Sequence, residues 1–352
     1  MTILILLRHL EVGGIQRLAV EQANELQRRG HDVWMVTLAQ TQGTSLEEQL
    51  QIPRDHLVKL PFRRMRDFQA LFRLWLLIRK IQPSTLITHQ WFANTVGRIA
   101  GVCAGVPHIL AFEHSTDDTR KPFKQRMVDR FLQYVSVVIA VSPWVRESLL
   151  RSGIKDKHTQ VIANGITQES YMTVLRPGVH KPFCFVFIGR LIRDKGVDVL
   201  LDAFARGVSD YARLQVVGDG PEMKHLRRQA TSLGLDQVVT FLGSTIDVVS
   251  VLTKSDCLVL PSRREGFGLV ALEALASGIP VVASDIPSLA EFVKEEENGL
   301  LVPVGDADAL AQTMVRIVCD VDLYTTCTTH ARESVKQYSI QAHVNSVLSL
   351  IN

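Results

Sequence analysis

The feature that most constrains the fold of this chain is a regular alternation of short apolar runs with helical patterns. The runs fall at 2–7, 33–37, 85–89, 108–112, 137–141 and 160–163, and again at 183–188, 214–217, 238–241, 257–260, 280–283 and 299–302. Runs that are apolar on both faces belong in parallel sheets covered by helices, and strand–helix alternation is the signature of βαβ crossovers. Each half holds enough strands for its own doubly wound sheet, and 352 residues exceed one ordinary core. Asn164-Gly165, Pro177-Gly178 and Pro182 mark a turn-rich stretch between the halves. The expected α/β organisation is therefore a Rossmann-like domain at 1–165, a linker at 166–182, a second Rossmann-like domain at 183–335, and a C-terminal helix in 336–352 that returns to the first domain. In that helix Val344, Val347, Leu348 and Ile351 share one face. Ligands of doubly wound sheets sit beyond the carboxyl ends of the strands, so two such domains facing each other are expected to enclose a cleft there.

Composition narrows the class. Hydrophobic residues make up 46% and charged residues 21%, as in soluble globular proteins. No apolar run approaches the roughly 18 residues of a membrane span, and 2–7 is too short for a signal-peptide core. The cysteines 103, 184, 257, 319 and 327 are odd in number and scattered, without CxxC or Cys/His spacing. A cytoplasmic location is expected, with no bound metal, no cofactor and no nucleic-acid partner. Residues 1–175 carry 22 Lys and Arg against 15 Asp and Glu, while the remainder carries 17 against 21. A basic first half suits an anionic membrane face or an anionic acceptor, and an ordinary solvated surface is the competing reading. The apolar stretch 68–81 contains Arg73, Arg79 and Lys80 and follows Arg63, Arg64 and Arg66. It reads as a packed crossover helix with basic flanks, and secondarily as a membrane-surface helix. Arg120, Lys121, Lys124 and Arg126 add further positive charge.

One helix carries the strongest chemical signal. Residues 268–277 are apolar all round except for Glu273 and the terminal Ser277, and they lie between two strand-like runs. Such a helix is expected to be buried, and an ionised carboxylate inside it needs something to hold. Glu265 stands in the loop that feeds the same helix start, with seven residues between the two acids. Elsewhere, Gly13-Gly14 follows the first strand, where glycines let backbone approach an anion or simply make a turn. Arg190 and Lys195 follow the strand at 183–188 and suit a diphosphate, Arg by a forked contact and Lys as a point charge. The Gly218-Asp219-Gly220 segment lacks the third glycine of a dinucleotide fingerprint, with Met223 in its place, and reads as a tight turn beside a ligand. His114 follows the run 108–112 through Glu113 and is favoured as a substrate contact, whereas His89, which ends the preceding run, reads as structural. Asp306-Ala307-Asp308 reads as a helix cap rather than a metal motif.

Taken in order, these residues resemble the retaining glycosyltransferases of family 4, which have the two-domain GT-B fold. The resemblance rests on Glu265 to Glu273 as an E-x7-E motif within 261–303, and on Val161-Ile162-Ala163-Asn164-Gly165-Ile166. It rests also on Gly189-Arg190-Leu191 with Lys195-Gly196, on Gly218-Asp219-Gly220-Pro221 and on Gly13-Gly14. It implies that Glu265 holds donor-sugar hydroxyls and Glu273 the nucleotide ribose. Arg190, Lys195 and the backbone of Phe267, Gly268 and Leu269 would grip the donor diphosphate, with Gly14 approaching the phosphates and His114 the sugar. Gln16 departs from the glutamate frequent in the family just after the glycine pair. The implied activity is retaining, metal-independent transfer of a hexose from a nucleotide sugar, UDP-linked in preference to GDP-linked. The implied acceptor is a saccharide carried on a polyprenyl diphosphate, in cell-surface polysaccharide or glycolipid synthesis at the inner face of the cytoplasmic membrane. A nucleotide-sugar epimerase of the same fold and a non-catalytic nucleotide-sugar-binding protein are the alternatives.

Overall fold

The computed structural model describes residues 1–63, 67–114, 123–172 and 179–351. Arg64, Arg66, Arg120 and Lys121, and residues 173–178 of the expected linker, lie outside the described residues. The chain divides into two compact units, Met1–Gly165 with Ile340–Asn352, and Ile166–Ser339. Residues 166–182 thus group with the second unit.

The first unit runs β1 (Thr2–Leu7), α1 (Gly14–Arg28), β2 (Asp32–Thr37), β3 (Leu57–Lys59), α2 (Phe68–Ile81), β4 (Thr85–His89), α3 (Trp91–Ala104), β5 (His108–Glu113), α4 (Phe123–Leu132), β6 (Val137–Ala140), α5 (Pro143–Ser152) and β7 (Thr159–Val161). The strands form one parallel sheet in the order β3-β2-β1-β4-β5-β6-β7, with Ile5 registered between Met35 and Ile87. Strand β3 escapes the sequence reading because three residues at a sheet edge carry no periodicity. Leu4, Leu6, Val36 and Leu86 build one core face with Leu74, Ile78, Val96 and Ala100 of the covering helices. Helix α3 lies so close to the sheet that a Cβ at Gly97 would stand 2.6 Å from Thr88 and 2.7 Å from Leu6.

The second unit runs α6 (Glu169–Met172), β8 (Phe183–Ile188), α7 (Val197–Phe204), β9 (Ala212–Val217), α8 (Met223–Ser232), β10 (Val239–Gly243), α9 (Val248–Thr253), β11 (Cys257–Leu260), α10 (Leu269–Ala276), β12 (Val281–Ser284), α11 (Pro287–Ala290), β13 (Gly299–Val302), α12 (Ala307–Cys319) and α13 (Val321–Ser334). Its parallel sheet has the order β10-β9-β8-β11-β12-β13. Strands β8, β11 and β12 are almost wholly buried, as their uninterrupted apolar runs require. Asp306 accepts from the N–H groups of Asp308 and Ala309 and caps α12, and Asp308 pairs with Arg206, so the Asp-Ala-Asp triplet is a helix start.

The final helix, α14 (Ile340–Leu348), belongs to the first unit and packs on α1. Arg29, the residue that follows α1, donates to Asn345 Oδ1 at 2.6 Å and to the Gln341 carbonyl at 3.1 Å. In each sheet the winding reverses once, between β1 and β4 and between β8 and β11. Beyond the carboxyl ends of those two pairs no crossover covers the sheet, and a ligand crevice is expected there.

Candidate functional site

In the second unit the reversal point gathers most of the residues expected to hold a ligand. Arg190 leaves β8 in the loop Gly189-Arg190-Leu191; its side chain is exposed and forms no ion pair among the described residues. Lys195 closes the short turn that follows, and its ammonium pairs with the carboxylate of Glu265, which comes from the loop after β11. The same Oε1 of Glu265 accepts from Ser262 Oγ at 3.0 Å, and the Glu265 carbonyl accepts from Ser288 Oγ at 3.0 Å. No described residue bonds the second carboxylate oxygen, Oε2. Glu265 is therefore held on one side and open on the other.

Two cations that the sequence left unassigned lock this arrangement. Arg263 forks onto Asp198 at 2.8 and 2.7 Å and donates to the Arg193 carbonyl, while its own N–H bonds the Asp194 carbonyl. Arg264 donates to both oxygens of Asp194 at 2.9 Å. The Asp198 carboxyl is held below its ordinary range against the cost of burial, because the Arg263 guanidinium bonds it. These pairs, the Arg263–Asp198 one bidentate, tie the loop after β11 to the loop after β8 and to the first turn of α7, and they fix Glu265 beside Lys195.

Backbone contacts complete the floor. The N–H of Gly189 bonds the Val217 carbonyl and that of Leu191 bonds the Asp219 carbonyl, both at 2.9 Å. Gly218 has a φ of +138°, and a Cβ there would lie 1.8 Å from the Gly189 carbonyl oxygen. Glycine at 218 is thus required by two independent constraints, positive φ and close approach. Gly268 caps α10 with a φ of +94°, where a Cβ would meet Leu289 at 2.5 Å. The Phe267 ring is buried against Phe292 and Tyr338, which anchors the helix start. Among the described residues no acceptor bonds the N–H of Phe267 or Gly268, and Leu269, as the first helical residue, has no intrahelical acceptor. Glu273, in the middle of α10, is 4% exposed, as its apolar surroundings predict.

The first unit places Gly13, Gly14 and His114 at the carboxyl ends of its strands. Gly13 has an extended backbone, φ 178°, so the glycine pair does not serve a left-handed turn. His114 follows β5 and bonds His89 at the end of β4, His89 Nδ1 to His114 Nε2, 3.1 Å. His89 is fully buried, stacks on Phe112 and contacts Gln22 of α1 at 3.1 Å. Gln22 in turn contacts His343 Nε2 at 3.2 Å, and His343 Nδ1 meets the Ala163 carbonyl at 2.8 Å. Burial pushes the His114 ring down to about 3, aided by His343, and that of His343 down to about 4. The same desolvation, with the two neighbouring imidazoles, puts His89 well below the usual range. All three rings are neutral at physiological pH. From the sequence His89 reads as a structural residue apart from His114; the structure joins them.

Comparison with known proteins agrees with both halves of this description. Residues 12–170 match the family model for glycosyltransferase family 4, and residues 177–334 match that for glycosyl transferases group 1. An uncharacterized glycosyltransferase of Haemophilus influenzae is 26% identical over 94% of this chain and 93% of its own length. The UDP-Gal:alpha-D-GlcNAc-diphosphoundecaprenol alpha-1,3-galactosyltransferase of Escherichia coli is 26% identical over 81% of this chain and 79% of its own. Among solved structures, Anabaena HepE in complex with UDP-glucose superposes with a TM-score of 0.88 at 24% identity, covering 100% of this chain and 99% of that one. The architecture is that of the GT-B fold. Among the described residues no helix is long and apolar enough to cross a membrane.

Proposed function

Since the chain belongs to the glycosyltransferases that join a family 4 domain to a group 1 domain, we propose that it transfers a hexose, with retention and without a metal, from a nucleotide sugar to a saccharide acceptor. The donor we favour is UDP-linked, with GDP-linked sugars second. One observation carries the proposal: Arg190, the Lys195–Glu265 pair and the start of α10 meet where the second sheet reverses its winding. Breaking a sugar–phosphate bond leaves negative charge on a nucleoside diphosphate. Arg190, Lys195 and the N–H groups of Phe267, Gly268 and Leu269 supply the positive charge to receive it, each well-aimed donor contributing roughly 3 kcal/mol of transition-state stabilisation. Glu265 keeps Oε2 for hydroxyls of the donor sugar, and buried Glu273 takes the ribose hydroxyls. Gly218 shapes the floor beneath the nucleotide. In the first unit, His114 contacts a sugar hydroxyl and Gly13-Gly14 bring backbone N–H groups to phosphate. Retention follows from front-face attack, in which a donor phosphate oxygen takes the acceptor proton.

For the acceptor we favour a saccharide on a polyprenyl diphosphate, in cell-surface polysaccharide or glycolipid synthesis. The activity named for the Escherichia coli relative, on a diphosphoundecaprenol-linked sugar, supports this reading. So does one face of the first unit. Helices α2, α3 and α4 pack side by side and point Phe68, Phe72, Leu76, Ile99, Val102, Met127 and Phe131 outward, Phe68 and Phe131 about three-quarters exposed. The three helices hold a single carboxylate, Asp129, buried against Arg98, whereas Arg73, Arg79 and Lys80 lie exposed on α2. Apolar side chains interspersed with cations that have no ion pair among the described residues suit an anionic bilayer surface at the cytoplasmic side.

The test is a panel of nucleoside diphosphates and their hexose derivatives. One base should give saturable thermal stabilisation, and diphosphate release from its sugar should require a saccharide acceptor. A new hexose made without acceptor would point to an epimerase, and binding without turnover to a silent binding protein. No response to any nucleotide contradicts the proposal.

A further inference from the structure

The chain from Ala163 through His343, Gln22 and His89 to His114 has a direction that its chemistry dictates. A carbonyl oxygen only accepts, so His343 Nδ1 carries a proton and donates it to Ala163. In the neutral ring His343 Nε2 then has only a lone pair, and the Gln22 amide must turn its NH2 toward it. That leaves Gln22 Oε1 facing His89 Nε2, which donates. His89 Nδ1 is then an acceptor, and His114 Nε2 donates to it. The remaining nitrogen, His114 Nδ1, is a bare lone pair with no bond from any described residue. The opposite orientation of the Gln22 amide would require His343 to donate from both nitrogens as a cation, and no carboxylate belongs to the chain to balance it. Gln22 and His89 are fully buried and His343 is 3% exposed, so water does not relax these choices.

We propose that this chain holds His114 in a single tautomer whose Nδ1 is a fixed hydrogen-bond acceptor, so that it takes an O–H donor of the substrate and rejects a phosphate oxygen. Gln22, His89 and His343 are positioning residues, and the C-terminal helix α14 contributes to the substrate contact of the first unit through His343. A lone pair facing an anionic phosphate oxygen is repelled, whereas a sugar hydroxyl donates to it. The ring remains neutral while it does so, and it orients a hydroxyl rather than removing its proton. The ligand half of this inference rests on the proposed glycosyl transfer; the tautomer half does not.

The experiment separates the two. Two-bond proton–nitrogen spectra of protein labelled with 15N-histidine report the tautomer of each ring without any substrate, and the His114 signals are assigned by their loss in His114→Asn. The wild type should carry the His114 proton on Nε2 throughout pH 6–8. His343→Gln retains an acceptor for the Gln22 NH2 and should leave His114 unchanged. His343→Leu removes that acceptor, frees the amide to turn, and should move the His114 proton to Nδ1 or mix the two forms. Should His343→Leu not fold, Gln22→Glu serves instead: a carboxylate there accepts from both neighbours, so His343 should become doubly protonated while His114 keeps its tautomer. A proton on His114 Nδ1 in the wild type, or a His114 tautomer indifferent to His343→Leu, overturns the proposal. With UDP-glucose as donor, His343→Leu should lower kcat about tenfold and His343→Gln less than about threefold. Replacing the facing sugar hydroxyl by fluorine, which accepts but cannot donate, should cost the wild type more than His343→Leu. An equal penalty in the two proteins refutes the hydroxyl assignment even where the tautomers are as described.

Discussion

Three neutral imidazoles, His89 and His343 buried and His114 half-buried, make the first unit sensitive to acid, and the size of the effect can be worked out at His343. Its ring titrates near 6.5 in the unfolded chain and is pushed down to about 4 by burial in the folded one. Between these values the unfolded state binds the proton and the folded state does not, so stability falls as pH drops through 6.5 and stops falling near 4. Lowering the pH from 7.5 to 5 should therefore remove about 2 kcal/mol through His343 alone. His89 and His114, also depressed by burial first and then by the neighbouring imidazoles, act in the same direction, while the Ala163 carbonyl opposes the shift at His343. For a unit of this size about 2 kcal/mol corresponds to a fall of about 4–8 °C in Tm. Carboxylates elsewhere also titrate, so the informative quantity is the difference between wild type and His343→Gln, followed by thermal unfolding at steps of pH. The variant should lose less stability on acidification by about that amount. Parallel curves for the two proteins would refute the claim that His343 is buried neutral.

Gly218→Ala would set a methyl 1.8 Å from the Gly189 carbonyl oxygen at a φ of +138°; an unfolding titration should reveal a loss of roughly 1–3 kcal/mol, with weakened nucleotide binding, because the loops after β8 and β9 must part. At the α2–α4 face, Phe68→Ser with Phe72→Ser should reduce co-sedimentation with anionic vesicles while leaving turnover of a water-soluble acceptor intact, and binding by the unaltered protein should weaken with added salt.

Much of the architecture was legible because parallel strands buried on both faces leave an unbroken apolar signature. All twelve runs read from the sequence are strands, with ends displaced by up to two residues where the chain enters a turn. The burial of Glu273 was equally legible, since a helix apolar on every side has no face for water. What stayed hidden depends on partners distant in sequence. Arg263 and Arg264 look like solvated cations until Asp198 and Asp194, some 65 to 70 residues earlier, are placed beside them. Gln22 reads as one more polar residue on an amphipathic helix, yet it meets His343 across 321 residues. His89 reads as structural because a lone histidine at a strand end carries no periodic signal; only the pairing of β4 with β5 brings it to His114.

The central claim is that positive charge at the β8–β11 reversal receives a departing nucleoside diphosphate, and Arg190→Ala tests it most directly. Arg190 is exposed and outside every ion pair among the described residues, so the fold should be unaffected. With the nucleotide sugar that the protein turns over, kcat should fall about a hundredfold or more, the scale seen when one donor to a developing anion is removed. Transfer at the wild-type rate by a folded Arg190→Ala protein would contradict the account.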